Sequence, residues 1–96
     1  RKQRSRVFVL SIPDYGATPF AQGQDRSKIA AEIDLFNSIN QRVSDSLGVT
    51  WIEITRGSKE ALTDRSLVAS DGLHPSGKEY AKWASKLADA MVDVLK

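Results

Sequence analysis

A carboxylate and an imidazole that are able to act together in proton transfer lie three residues apart, at Asp71 and His74. His74 is the only histidine of the 96-residue chain. An imidazole takes a proton from a nucleophile and returns it to a leaving group near neutral pH, provided that a carboxylate fixes its tautomer and orientation. Gly72 permits a tight turn between the two residues, and Pro75 biases His74 towards an extended backbone. The spacing therefore predicts a general base and its orienting carboxylate on one loop.

The segment that contains this pair resembles the last conserved block of the SGNH hydrolases, also called GDSL esterases and lipases. It runs from Asp71 to Ala84 and reads DGLHPSGKEYAKWA. In that family the block reads D-x-x-H-P, followed by small residues and a helix. The resemblance implies that Asp71 and His74 are the Asp and the His of a Ser-His-Asp catalytic triad. The alternative for the same two residues is a surface or capping role, because short polar side chains in loops often bond only to nearby backbone.

The serine of such a triad is not expected within this chain. Its eleven serines include no G-x-S-x-G or G-D-S pattern. Ser11 falls inside a predicted strand, and Ser70 and Ser76 are better explained as loop and cap residues. In the family that the chain resembles, the serine, and the glycine and asparagine that complete the oxyanion hole, belong to N-terminal blocks. These blocks are absent here.

Hydrophobic patterning before the loop predicts a strand, a helix and a second strand. Residues 7–12 form a nearly continuous apolar and β-branched run, which is typical of a strand covered on both faces. Apolar residues then recur every three or four positions between Asp25 and Leu47, which predicts an amphipathic helix that ends at Gly48. Residues 49–54 follow as a second strand, in the order of a right-handed parallel crossover. The apolar face of the helix consists of Ile29, Ile33, Phe36, Ile39, Val43 and Leu47.

A long loop and a final helix are predicted after the second strand. Residues 55–75 are expected to be mostly loop, with one helical turn capped by Ser58. Ser76 and Glu79 have the spacing of a capping box, so the last helix is predicted to begin there and to run to about Leu95. An apolar stripe in this helix favours core packing over a cofactor-binding role. The stripe consists of Tyr80, Trp83 or Ala84, Leu87, Met91, and Val94 or Leu95.

These elements predict an α/β fold with a parallel sheet. Two strands and two helices bury little apolar surface alone, so the chain is expected to be incomplete. The resemblance implies the same, because residues 7–96 correspond to the C-terminal portion of the flavodoxin-like SGNH fold, a three-layer α/β/α sandwich. Residues 1–6 are expected to be a basic tail or a cleaved linker.

Composition excludes several other classes of protein. Residues 1–6 hold four of the 14 Lys and Arg residues, which leaves ten cations against 12 acidic groups in the rest of the chain, so nucleic-acid binding is not expected. No apolar run approaches the roughly 20 residues that span a bilayer. A single histidine without cysteine argues against a transition-metal site, and no glycine-rich phosphate loop is present, so no cofactor is expected.

The resulting hypothesis is the C-terminal portion of a serine esterase or lipase, inactive alone, which supplies His74 and Asp71. Its expected partners are the N-terminal portion of the same domain, as a second chain or a cleaved piece, and a small-molecule, carbohydrate or lipid ester. Asp14, Tyr15 and Phe20 either line the substrate cleft or only pack in a loop. Many members of the SGNH family are exported, so the resemblance favours a secreted or periplasmic location. The alternative is a noncatalytic interaction module or a degenerate hydrolase fragment.

Overall fold

The computed structural model describes residues 7–95, without the side chain of Leu95. The expected basic tail at residues 1–6 lies outside the described residues. A strand, a long helix, a second strand, a short helix and a second long helix follow one another in the chain, with 3₁₀ turns in the loops. The two strands form a parallel sheet, so the α/β class is confirmed for the part of the chain that the structure describes.

The sheet consists of β1 (Phe8–Leu10) and β2 (Thr50–Ile52), which pair in parallel with Val9 opposite Trp51. Both strands are shorter than the predicted runs over residues 7–12 and 49–54. The expectation that the first strand is covered on both faces is wrong, because all three residues of β1 are only partly buried. The physical reason is that a sheet face is buried by elements packed on it, and the described elements cover β1 only in part. The described sheet also has a single pair of strands, which leaves one edge of β1 without a neighbour.

The first long helix, α1 (Arg26–Leu47), begins and ends where the sequence predicts. The Asp25 carboxylate caps it by accepting a hydrogen bond from the backbone N–H of Lys28 at 3.1 Å. Gly48 ends it in the left-handed conformation with φ of 73°, which a residue with a side chain adopts only at a cost. The crossover from β1 to β2 is therefore specified by local sequence signals at both ends of the helix.

The predicted apolar face of α1 is buried only in its first half. Ile29 and Ile33 are buried and pack with Ala21 in one small core cluster. The remaining members of that face are exposed; they are Phe36, Ile39, Val43 and Leu47. Helical periodicity thus predicts the helix correctly, but nothing in the described residues covers the second half of its apolar face.

The segment after β2 contains more helix than predicted. A short helix, α2 (Thr55–Ser58), leads into a 3₁₀ turn at Lys59–Leu62, which confirms the expected helical turn. The predicted cap is wrong, because the Ser58 hydroxyl donates to the Thr55 carbonyl oxygen at 2.5 Å and makes no capping bond. A second core cluster combines Ala61 of this turn with Leu67 and Val68.

The last helix, α3 (Gly77–Leu95), has the predicted extent. Only half of its capping box forms: Ser76 Oγ accepts a long hydrogen bond of 3.4 Å from the N–H of Glu79, whose carboxylate pairs with Lys82 instead. The prediction of a core-packed stripe is wrong for Tyr80 and Met91, which are exposed. Ala84, the alternative to Trp83 in that stripe, is exposed as well, whereas Trp83, Leu87 and Val94 are half-buried. No helix among the described residues is both long enough and apolar enough to cross a membrane.

Candidate active site

The loop that carries Asp71 and His74 is held at both ends and in the middle. An antiparallel bridge closes residues 68–75, and the N–H of Ala69 donates to the His74 carbonyl oxygen at 2.7 Å. At the tip, Gly72 has a φ of 77°, as its place in a tight turn requires. Its carbonyl oxygen accepts a hydrogen bond of 2.9 Å from the N–H of Phe20. These bonds fix the loop against the segment that follows β1.

The Asp71 carboxylate binds both the ring and the backbone of His74. One oxygen, Oδ2, is hydrogen bonded to His74 Nδ1. The other, Oδ1, accepts the backbone N–H groups of Leu73 and His74, each at 2.9 Å. The predicted pair therefore exists as a direct contact, and the same carboxylate determines both the turn and the orientation of the imidazole.

This contact leaves the other ring nitrogen available. Since Nδ1 donates its proton to Asp71, the neutral ring carries its lone pair on Nε2. No hydrogen bond within residues 7–95 involves that atom, and the His74 side chain is 69% exposed. A general base requires an unprotonated nitrogen that can reach an incoming hydroxyl group. His74 Nε2 meets this requirement.

The surroundings of Asp71 keep its carboxylate ionised. The backbone N–H of Leu73, the ring of His74 and the backbone N–H of His74 all donate to it, and together they lower its pKa from 3.8 to about 2. A permanently charged partner stabilises the imidazolium that forms when His74 takes up a proton. The electrostatics of the pair therefore suit proton transfer at His74, with Asp71 remaining an anion throughout.

The depressed pKa of Asp71 can be measured directly. In a ¹³C NMR titration of the folded protein, the Asp71 carboxyl carbon is expected to titrate with a midpoint near 2 rather than 3.8. Because the folded pKa is the lower one, the carboxylate stabilises the loop above about pH 3.8, and this contribution is lost as the pH falls towards 2. In a His74→Ala variant the two backbone hydrogen bonds remain, so the midpoint should rise but stay below 3.8. A wild-type midpoint at or above 3.8 would contradict the hydrogen-bonded arrangement.

Other hydrogen-bond partners occupy the hydroxyl groups of Ser58, Ser76 and Ser11. Ser58 Oγ accepts the N–H of Asp14 at 2.8 Å while donating its proton to a carbonyl oxygen. Ser76 Oγ donates to the carbonyl oxygen of Ser66 at 2.7 Å. Ser11 is buried, and its hydroxyl accepts the N–H groups of Ile54 and Thr55. No hydrogen bond within the described part of the chain joins a serine hydroxyl to His74, and the absence of a self-contained triad stays a prediction.

The three residues expected either to line a cleft or to pack in a loop have different surroundings. Asp14 is buried, pairs with Lys59 at 2.7 Å, and borders a cavity of about 50 Å³ that His74 also borders. Tyr15 and Phe20 are exposed and do not border this cavity, although the backbone of Phe20 supports the loop tip. Of the three residues, only Asp14 lies in the wall of the cavity that His74 borders.

Sequence reasoning missed two further residues of this wall. Trp83, which was assigned to core packing, borders the cavity with its indole Nε1 buried and without a hydrogen-bond partner in the described structure. Glu79, predicted to be a capping residue, is 3% exposed and lies 3.0 Å from Lys82. The helical spacing of Glu79 and Trp83 places both on the face of α3 below the loop. That spacing of four residues, in the helix that directly follows the histidine loop, is the sequence signal that points to them.

The described residues hold no group of three or more His, Cys, Asp and Glu side chains that is arranged to bind a metal ion. In comparisons with known proteins, no family model, curated protein or solved structure matches the chain. The candidate site is therefore interpreted from its own geometry. It can hold a proton at His74 Nε2 and stabilise the resulting positive charge with Asp71.

Proposed function

We propose that this polypeptide is the C-terminal portion of an SGNH-type serine ester hydrolase that becomes active when assembled with its N-terminal portion. The observation that carries the proposal is the bond between Asp71 Oδ2 and His74 Nδ1, which leaves His74 Nε2 exposed. The resemblance of residues 71–84 to the SGNH block supplies the reaction class. The expected substrate class is a carboxylic ester.

In the proposed reaction, His74 acts first as a base and then as an acid. Nε2 removes the proton of the serine hydroxyl on the N-terminal portion as the serine oxygen attacks the ester carbonyl carbon. Asp71 stabilises the imidazolium, and the oxyanion donors of the N-terminal portion stabilise the tetrahedral intermediate. The imidazolium then protonates the departing alcohol as the ester C–O bond breaks. His74 then deprotonates a water molecule, which attacks the acyl carbon. The imidazolium returns the proton to the serine oxygen as the acyl–serine bond breaks and the carboxylic acid leaves.

The incomplete coverage of the fold supports an assembly of two portions. Phe36, Ile39 and Val43, here called the apolar flank, lie along one side of α1 and are 42–58% exposed. The opposite side of α1 is polar and borders a cavity together with Trp51 of β2. The apolar flank consequently lies on the side away from β2. In a sheet of two strands, this is the side of the open edge of β1.

The N-terminal portion of the domain is the proposed occupant of this side. A strand added at the open edge of β1 would extend the sheet below the apolar flank and cover it. The same addition would bring the carboxyl end of a new strand next to the carboxyl end of β1, from which the chain leads to Asp14 and the wall shared with His74. One docking event thereby completes the three-layer sandwich and supplies the missing serine.

A noncatalytic interaction module is the second candidate, and one observation favours it. Asp71 Oδ1 binds two backbone N–H groups, which gives this carboxylate a structural role in the turn even without any chemistry. In that case the pair would persist as a loop-stabilising contact. The two candidates differ in their response to a reagent that requires an activated serine.

Labelling with a fluorophosphonate distinguishes these functions. The protein, purified with its N-terminal portion, is treated with the reagent, and each polypeptide is weighed by intact-mass spectrometry while ester hydrolysis is measured in parallel. We expect one adduct, on a serine of the N-terminal portion, together with loss of hydrolysis. An adduct on this chain would refute the assignment of the serine to the N-terminal portion. An assembled protein that neither reacts nor hydrolyses esters would favour the noncatalytic module.

A further inference from the structure

A second cavity is bordered by Lys59, whereas its ion-pair partner Asp14 borders the cavity of the candidate active site. Its volume is about 330 Å³, within the range of small-molecule pockets. It opens between the polar side of α1 and the chain that leaves β2, and Trp51 and Lys59 both border it. Ligands of open parallel sheets bind outside the carboxyl ends of the strands, and this cavity has that position.

Three polar side chains in this cavity have no hydrogen-bond or ion-pair partner among the described residues. The Asp34 carboxylate, the Gln41 amide and the Arg56 guanidinium border it and take part in no hydrogen bond or ion pair within the described structure. Asn37 borders the same cavity, but its amide is used, since it donates to Thr55 Oγ1 at 2.8 Å and accepts the N–H of Ile12 at 2.9 Å. The cavity therefore offers a ligand one hydrogen-bond acceptor in Asp34, donors in Arg56, and an amide in Gln41 that both donates and accepts.

The charges of the cavity do not favour an anionic ligand. Two acidic groups, Asp34 and Glu53, and two basic groups, Arg56 and Lys59, lie in its wall. Lys59 is already paired with Asp14 at 2.7 Å and Glu53 with Lys86 at 3.9 Å, which leaves one acidic and one basic group. A phosphate group needs an excess of cationic donors, which this arrangement lacks. Trp51 adds an aromatic surface to the wall. The cavity wall thus has balanced charges, both hydrogen-bond donors and acceptors, and an indole. These features match a neutral ligand with several hydroxyl groups and one apolar face.

We propose that this cavity binds a neutral carbohydrate. The C–H face of one sugar ring packs against Trp51, while ring hydroxyl groups donate to Asp34 and accept from Arg56. Gln41 both donates to and accepts from a hydroxyl group. This binding is independent of His74 and of the ester hydrolysis proposed above, so it stands or falls separately from that function.

The two tryptophans of the chain, Trp51 and Trp83, allow a direct test. A Trp83→Phe variant of the assembled protein retains Trp51 as the only indole of this chain. The fluorescence of Trp51 is recorded while a disaccharide is added: cellobiose, xylobiose, lactose or N,N′-diacetylchitobiose. Tryptophans of the N-terminal portion are replaced by phenylalanine, or their fluorescence is subtracted with a Trp51→Phe control. We expect a saturable change with at least one disaccharide, absent from the Trp51→Phe control.

Affinity changes locate the binding site. Asp34→Ala is expected to weaken binding of the same disaccharide about tenfold or more, because a hydrogen bond to a charged acceptor is lost. Asp45→Ala is the matched control, since Asp45 is an exposed carboxylate on the same helix outside the cavity. The affinity of this variant for the disaccharide should be unchanged. If Trp83→Phe does not fold, saturation-transfer NMR on the wild type replaces the fluorescence measurement. Absence of saturable binding, equal affinity in Asp34→Ala, or binding of inorganic phosphate in place of the sugars would overturn the proposal.

Discussion

Replacement of His74 by alanine is expected to lower kcat/KM for ester hydrolysis by roughly 10⁴-fold or more in the assembled protein, because the serine loses its base and the leaving group its acid. The fold should persist, since the His74 side chain is 69% exposed and contributes no part of either core cluster. Steady-state kinetics on a chromogenic ester measure the first effect, and a thermal melt followed by circular dichroism measures the second.

Two comparisons make this experiment specific. Ser70 is exposed and directly precedes Asp71 in the same loop, so Ser70→Ala tests whether any change in the loop lowers activity, and it should not. Added imidazole should restore part of the rate of the His74→Ala variant, because a soluble base can occupy the space that the ring leaves. If the His74→Ala protein turns over within a few-fold of the wild type, His74 is not the general base and the hydrolase assignment fails.

The local features of the fold were predictable from the sequence because their causes are local. Asp25 starts α1 through a hydrogen bond and Gly48 ends it through its backbone conformation, each within a few residues. The pair of Asp71 and His74 was predictable for the same reason, as its spacing of three residues spans a single turn. In each case the residues that determine the helix end or the side-chain contact are the same residues whose types and spacing form the sequence pattern.

Burial was not predictable in the same way. The periodicity of α1 shows which residues share a face, but whether Phe36 and Val43 are covered depends on elements that lie beyond the helix. The wall of the candidate site was likewise not predictable from a local sequence pattern. Asp14, Ser58 and Trp83 are far apart in the sequence, so no local pattern brings them together with His74. The cavity beside Trp51 likewise combines one side of α1 with the end of β2.

The apolar flank gives the second prediction of large effect, which concerns assembly. Val43 is 51% exposed in this chain, so Val43→Glu should scarcely change the chain by itself. In the proposed assembly the same position is covered by the N-terminal portion, and the new carboxylate would be buried without a partner. Burial of an unpaired charge costs several kcal/mol, so the affinity between the two portions should fall by about 100-fold or more. Titration of one portion with the other, followed by analytical ultracentrifugation, measures this affinity.

A control on the same helix distinguishes an effect of a carboxylate at the apolar flank from an effect of an added carboxylate anywhere on α1. Gln41→Glu introduces the same side chain two residues away, which on an α-helix is a rotation of about 200° and places it on the polar side that borders the Trp51 cavity. Association should then be unchanged. Equal affinities for Val43→Glu and the wild type would mean that the apolar flank stays uncovered, and the N-terminal portion would have to dock elsewhere. Loss of association in both variants would point to a general effect of negative charge on α1 and would likewise refute docking at the flank.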